Sequence, residues 1–466
     1  MMEDFFIDNC NGIINIKDGL YVFFCISDDI VTLCPTPDKI DEFKEYVLSE
    51  KIDSEKGNWM YGTTEKGNKI VFFRKKKLRL NVSSSYSMAM AKFYSPITIM
   101  QPQLKSHIKE FDSIEFFGGV VDILYPPSEA LNAKFTESGP MFKLKKDYEK
   151  TFDVNVNDED MQITYSINVN YKQACGEIPD FHKTIHSSLK LSFRSVHSFD
   201  DILKYYRYAH SLFVFCTGRK NICSEVRIYK DNKIPPIHVK VNEDFENFAN
   251  DKLKFDNVIS FVSLSDKLPK LFKLLNEEET APNLLFLPEH NKYYNYIKYT
   301  DVTDICSSLD REYSKLSLSY IRGDKEQAEI LRKFLYQSID NRTDISEKIK
   351  GKAKNLLNPL KNFSPSLKEK IETITDIFFE ESKQITEQLM HDKMGITFYD
   401  KKDFNKMVSQ FIKIRNSSAH AGICWNEGSQ IAPHLMLYIY YCILKRTDFN
   451  LTESTDILCP LFKNRF

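Results

Sequence analysis

The chain has 466 residues, enough for two to three domains with sizeable cores. Its 64 basic and 65 acidic side chains leave a formal net charge of -1. That balance excludes a general electrostatic affinity for nucleic acid, so any RNA contact has to come from a local patch. Ten cysteines are scattered without a CxxC pair, which argues against a zinc ribbon. The N-terminus lacks the basic and apolar regions of a secretory signal, and no apolar run is long enough to span a bilayer. The expectation is a cytoplasmic protein with reduced thiols and no membrane segment.

The first half reads as β-rich. Leu20–Ile26, Lys69–Phe73, Leu78–Val82 and Ile163–Val169 are short and rich in β-branched and aromatic residues. Turn residues bound them at Asp18-Gly19, Gly67-Asn68 and Asn155–Asp158. Ile163–Val169 and Leu189–Phe193 alternate apolar and polar, as half-buried strands do. Strands at this spacing predict a sandwich or an open barrel. Gly118-Gly119 marks a bulge or a close backbone approach. One helix interrupts the region: Ser198–Asp201 supplies a cap, Ile202, Tyr205, Tyr206, Ala209, Leu212 and Phe213 follow at helical spacing, and Gly218 is its stop. Strands resume at Glu225–Tyr229 and Ile237–Val241.

From about Asp244 apolar residues recur at three and four positions. The predicted helices are Val258–Leu275, Ile297–Arg322, Lys325–Ile339, Asp344–Leu357, Pro365–Met390, Lys401–Ser418 and Ile431–Lys445. Ser364-Pro365 is a start signal, and Asp400 is placed to cap the helix from Lys401. The expected fold class is α+β: a β-rich, sandwich-like domain over 1–245, a helical connector over 246–291 and an all-α domain over 292–466.

The run Arg415-Asn416-Ser417-Ser418-Ala419-His420 closes the helix from Lys401. An Arg holds a phosphate through two parallel hydrogen bonds, and a His moves a proton near neutral pH. Together they are what a metal-independent RNA-cutting site needs. The same residues also suit a plain helix end, where cations are favoured by the dipole and Gly422 fits a stop. Other groups are weaker candidates. His182 and His186 stand four apart, with His197 nearby, but no Glu follows the first His as in zinc peptidases and the segment reads as loop. Lys75-Lys76-Lys77 reads as a solvated basic turn able to touch phosphate, and Tyr205, Tyr206 and Tyr208 as core.

The C-terminal third resembles the HEPN family of helical domains, whose ribonuclease members carry Arg, a polar residue, a few variable residues and His. The whole chain resembles the ApeA-like family of bacterial anti-phage abortive-infection proteins, in which a β-rich domain precedes such a HEPN domain. Asn11–Ile14, Ile114–Leu124 and Ser195–Val214 fall where that β-rich domain has its opening and its late helix. Ser308–Tyr313 resembles the first HEPN helix, with Asp310 where Glu is more usual, or Glu312 in that part. Gly422 stands where a Tyr would follow the His in the nucleotidylated toxin branch, so the chain departs from that branch.

The resemblance implies a homodimer with a composite site, no cofactor and no metal, acting on RNA in phage defence. Arg415, Asn416 and His420 are its catalytic residues, with Asp310 and Glu312 as possible supports, and the β-rich domain senses a phage-derived trigger or regulates. The rival readings are a non-catalytic HEPN scaffold for dimerisation or RNA binding, and a ligand-binding β domain with a helical dimeriser.

Overall fold

Leu20, Val22, Phe24 and Ile26 are buried, while Tyr21 and Phe23 between them are exposed. Successive side chains of a strand point to opposite faces, so one apolar row is enough to give this segment an inner and an outer side. In the computed structural model this rule builds most of the first half. The structure describes residues 10–27, 29–51, 57–83, 88–136, 139–144, 148–169, 185–220, 222, 224–231, 235–242, 254–277, 297–315, 322–357, 366–394, 400–417, 423–424 and 431–462. The fold is α+β, an antiparallel β unit followed by a helical one. The chain divides into two compact units, Met1–Glu278 and Glu279–Phe466.

The first unit starts with β1 (Asn11–Lys17), β2 (Leu20–Ser27) and β3 (Ile30–Pro35), then α1 (Ile40–Ser49). There follow β4 (Asn58–Thr64), β5 (Lys69–Arg74), β6 (Arg79–Ser83), β7 (Met88–Tyr94), β8 (Ile97–Gln101) and β9 (Glu110–Phe117). After α2 (Val120–Leu124) come the hairpin β10 (Leu131–Thr136) and β11 (Gly139–Leu144), then β12 (Glu149–Val156), β13 (Glu159–Val169) and β14 (Ile185–Ser198). α3 (Ile202–Thr217), β15 (Glu225–Tyr229), β16 (Ile237–Val241), α4 (Phe261–Leu264) and α5 (Leu268–Glu277) complete it.

Fourteen of these strands form one ladder, β12-β13-β14-β9-β15-β16-β8-β5-β4-β1-β2-β3-β7-β6, in which neighbouring strands run antiparallel. The ladder is curled. Five inter-strand spacings separate β5 from β7, about 24 Å in a flat sheet. Yet Phe72 of β5 and Phe93 of β7 have ring centroids 6.1 Å apart. The inner faces of β1 to β5 and β7 therefore share one core with Phe43 and Val47 of α1. β7 and β8 are joined by Ser95-Pro96 alone, although they lie six places apart in the order β8-β5-β4-β1-β2-β3-β7. Ser95 of that corner is buried, and the corner is hydrogen-bonded. Ser95 Oγ donates to the carbonyl of Ile97 at 2.7 Å, Asn242 Nδ2 donates to the carbonyl of Ser95 at 2.9 Å, and Asn242 N to that of Pro96 at 2.8 Å. On the other half, α3 packs Tyr206 and Phe213 against Phe116 of β9.

The second unit holds β17 (Ile297–Lys298), α6 (Tyr299–Lys315), α7 (Arg322–Asp340), α8 (Glu347–Leu356), α9 (Leu367–Ile377), α10 (Phe379–Met394), α11 (Lys401–Ser417), β18 (Ile423–Cys424), α12 (Ala432–Arg446) and α13 (Leu451–Phe462). α6 packs on α9, α11 and α12, and α10 on α12 and α13. α12 is buried on every side from Ala432 to Leu444, which makes it the centre of this unit. Among the described residues no helix is long and apolar enough to cross a membrane.

Several expectations need correction. Two helices, α1 and α2, join α3 within the early β region, where one was expected. Both Gly118 and Gly119 have positive φ and turn β9 into α2 instead of bulging a strand. The helix expected over Val258–Leu275 is broken by a 3-10 turn, where Ser265 has φ 47°. The helix expected over Pro365–Met390 is two, divided at Phe378, whose ring packs 5.6 Å from that of Tyr441. Its cap is Ser366, reciprocated by Glu369, and Ser364-Pro365 lies outside the described residues. Residues 297–298 belong to a strand and not to α6. α13 is a further helix beyond those expected; Asn450 and Glu453 cap its start reciprocally, and Pro460 lies inside it.

Candidate active site

α11 starts where Asp400 Oδ1 accepts from the backbone N–H of Asp403 at 2.8 Å, the cap the sequence predicts. Phe404, Val408, Phe411, Ile412 and Ile414 then form its buried face. Arg415 comes in the last turn at the margin of this face and is half-buried, while Asn416 is exposed. The hydroxyl of Tyr299, the first residue of α6, donates to the carbonyl oxygen of Arg415. This bond satisfies one of the carbonyls a helix end leaves without an intrahelical partner.

Ile423 pairs with Lys298 and Cys424 with Ile297, antiparallel, in the short sheet directly before α6. Arg415 before the segment 418–422, and Ile423 and Cys424 after it, thus all bond to residues at or directly before the start of α6. His420 lies within that segment, outside the described residues.

Two helical turns along α6 from Tyr299 sits Cys306, buried. Burial pushes its thiol up to about 12, opposed by the positive charge of Arg415. At that value it stays a thiol and does not serve as a nucleophile. The guanidinium of Arg415 therefore lies close enough to act on α6, yet it forms no ion pair among the described residues.

Asp310 and Glu312 are also on α6 but point to different neighbours, as residues two apart on a helix do. Asp310 is paired with Lys370 of α9 at 2.5 Å. Glu312 is buried, and Arg446 Nη2 of α12 donates to both of its oxygens at 2.9 Å. Each carboxylate ties α6 to a neighbouring helix, and neither is ion-paired with Arg415. Tyr299 and Arg446 escaped the sequence reading. A Tyr at a helix start and an Arg at a helix end carry no signal until the helix packing is known.

The other candidates resolve as follows. His186 lies on β14, not on a helix, with its ring 5.6 Å from Phe117, and His182 is outside the described residues. His197 ends β14, with Nε2 2.9 Å from Glu159 Oε1. Tyr205 hydrogen-bonds the same Glu159 oxygen, and Lys204 Nζ reaches its other oxygen at 2.8 Å. Burial of Glu159 raises its pKa, but the hydrogen bonds and charge of these neighbours more than offset that and leave it lowered. The cluster ties the β12–β13 hairpin to α3. Tyr205, Tyr206 and Tyr208 are buried, as core residues. Among the described residues no three His, Cys, Asp or Glu side chains gather as a metal-ligand set.

No family model, no curated protein and no solved structure matches this chain.

Proposed function

We propose that the chain is a metal-independent endoribonuclease of the HEPN type, working as a cytoplasmic homodimer in bacterial defence against phage. The observation that carries the reading is Arg415 itself: a half-buried cation without an ion-pair partner among the described residues, its backbone fixed by Tyr299, within the run that ends in His420. A guanidinium at the margin of a helical core, without an ion pair among the described residues, suits a phosphate better than it suits the core.

RNA brings its own nucleophile. The 2′-OH gives up a proton as its oxygen bonds to phosphorus, and the bond to the 5′-oxygen breaks as that oxygen takes a proton. His420 serves as the general acid or base. Arg415 neutralises the charge that builds on the non-bridging oxygens, and Asn416 orients the Arg or hydrogen-bonds a phosphate oxygen. The products are a 2′,3′-cyclic phosphate and a free 5′-OH. In the dimer the two copies of the motif face each other, and the β unit governs when the site acts, in response to a phage product.

The test is cleavage of a labelled RNA by purified wild type, Arg415→Ala and His420→Ala, with product ends identified by mass spectrometry and an all-deoxy strand as control. Loss of cleavage in both variants, with dimer and melting temperature retained, supports the reading. Equal cleavage in all three forms overturns it. An intact RNA with wild type, in a protein that still dimerises, favours the non-catalytic scaffold.

A further inference from the structure

Lys75, Lys76, Lys77, Arg79 and Lys92 line one cleft of about 610 Å³ together with Ile30, Asn81, Phe93, Tyr94 and Pro96. The volume falls within the range of about 300–1000 Å³ common to ligand sites. Among the described residues this wall has five cations and no carboxylate, in a chain whose net charge is -1. Two nearby carboxylates are engaged elsewhere: Asp29, beside Ile30, with Lys240, and Glu50 with Arg74. None of the five cations forms an ion pair among the described residues.

The arrangement is built by the fold. Ile30, Arg79, Asn81, Lys92 and Tyr94 lie on the outer face of β3, β7 and β6, because the residues between them turn inward. The turn after β5 brings Lys75–Lys77 alongside. Arg74, fully buried, holds that turn by donating to the carbonyl of Lys76 at 3.3 Å while its guanidinium is clamped by Glu50. Arg79 and Lys92 are register partners on adjacent strands. Like charges directly opposite one another destabilise a sheet, and among the described residues no ion pair relieves this repulsion. A bound polyanion relieves it.

We propose that this cleft binds the phosphodiester backbone of single-stranded nucleic acid. The cations are exposed and spread along the wall, which suits a chain of phosphates more than one buried phosphoryl group. Tyr94 is 40 % exposed among them, an aromatic face of the kind on which unpaired bases stack. The site lies wholly within the β unit and stands whether or not the helical unit cuts RNA. Contacts of this type read the backbone and not the base sequence.

The experiment is fluorescence anisotropy of the full chain with a labelled 12-nucleotide oligo-dT, a strand that lacks the 2′-OH and is inert to the proposed cleavage. Lys75→Glu/Lys77→Glu/Arg79→Glu is compared with wild type and with Lys348→Glu/Lys352→Glu, two exposed lysines of the helical unit. The expected result is a loss of at least about tenfold in affinity for the triple variant, with its salt slope smaller by roughly 2, since each phosphate contact on a single strand contributes about 0.7. The control variant binds as wild type. Lys92→Glu guards against a folding artefact: it weakens binding while raising the melting temperature, because it replaces the repulsion with Arg79 by attraction. Binding by the triple variant within twofold of wild type overturns the assignment. So does wild-type binding to phosphatidylserine vesicles, lost in the triple variant, without binding to the oligonucleotide, which makes the cleft a membrane contact.

Discussion

The hydroxyl of Tyr299 donates to the carbonyl oxygen of Arg415, joining the first residue of α6 to the last turn of α11. A single side chain thereby fixes the backbone that presents the proposed phosphate ligand. Tyr299→Phe removes the bond and little else, at a cost of about 1 kcal/mol in stability. RNA cleavage is expected to fall severalfold in kcat with KM little changed, because a bond to the backbone positions the Arg in the transition state more than it binds substrate. Steady-state kinetics alongside urea unfolding separate the two effects.

Arg415→Lys keeps the charge and loses the planar fork. If bidentate phosphate contact is what matters, this variant cuts RNA at least about tenfold more slowly than wild type. A lysine that restores full activity shows that Arg415 acts as a point charge alone.

The pair formed by Arg74 and Glu50 is fully buried on one side and nearly so on the other. Removing one partner leaves the other charged in the core. Glu50→Ala is therefore expected to destabilise the β unit by about 3–5 kcal/mol, read from chemical unfolding. Tyr46, whose hydroxyl donates to the same carboxylate, is pushed up to about 12, chiefly by burial and then by the Glu50 charge. In Glu50→Ala that second cause disappears, and the Tyr46 titration moves down in a pH-dependent absorbance scan.

Buried histidines give a pH dependence. Burial pushes His210 in the first unit down to about 4 and His434 in the second to about 3. An unfolded histidine titrates near 6.5, so above that pH neither state holds the proton and these groups contribute no slope. Below it the unfolded chain gains protons that the folded chain refuses. Stability accordingly falls as pH drops from about 6.5 towards 4, by roughly 1 kcal/mol per pH unit for each histidine. Melting temperatures across this window test it. His434→Gln should flatten the slope of the helical unit.

The β-to-α order, the strand at Glu225–Tyr229, the start of α3 with its Gly218 stop, and the Asp400 cap were legible because each rests on a local rule of spacing, capping or turn chemistry. The curl of the sheet was not, because nothing in β5 or β7 alone says that Phe72 meets Phe93. The same limit applies to the site. The helix that carries Arg415 and Asn416 could be read from its spacing and cap, whereas the partners of Asp310 and Glu312 depend on which helix each side of α6 faces. The basic turn at Lys75–Lys77 was visible as a charge run. Its place in a larger cluster of cations shows only when β6 and β7 set Arg79 and Lys92 beside it.

The two-residue corner at Ser95-Pro96 also bears on how the β unit assembles. β7 pairs with β3 and β6, and β8 with β5 and β16, so these two covalent neighbours are not ladder partners. Neither can settle early by pairing with the other, so the native ladder depends on contacts distant in sequence. Chains dominated by such contacts refold on the millisecond-to-second scale, well behind helical bundles of similar stability. On this topology the β unit is expected to refold more slowly than the helical unit.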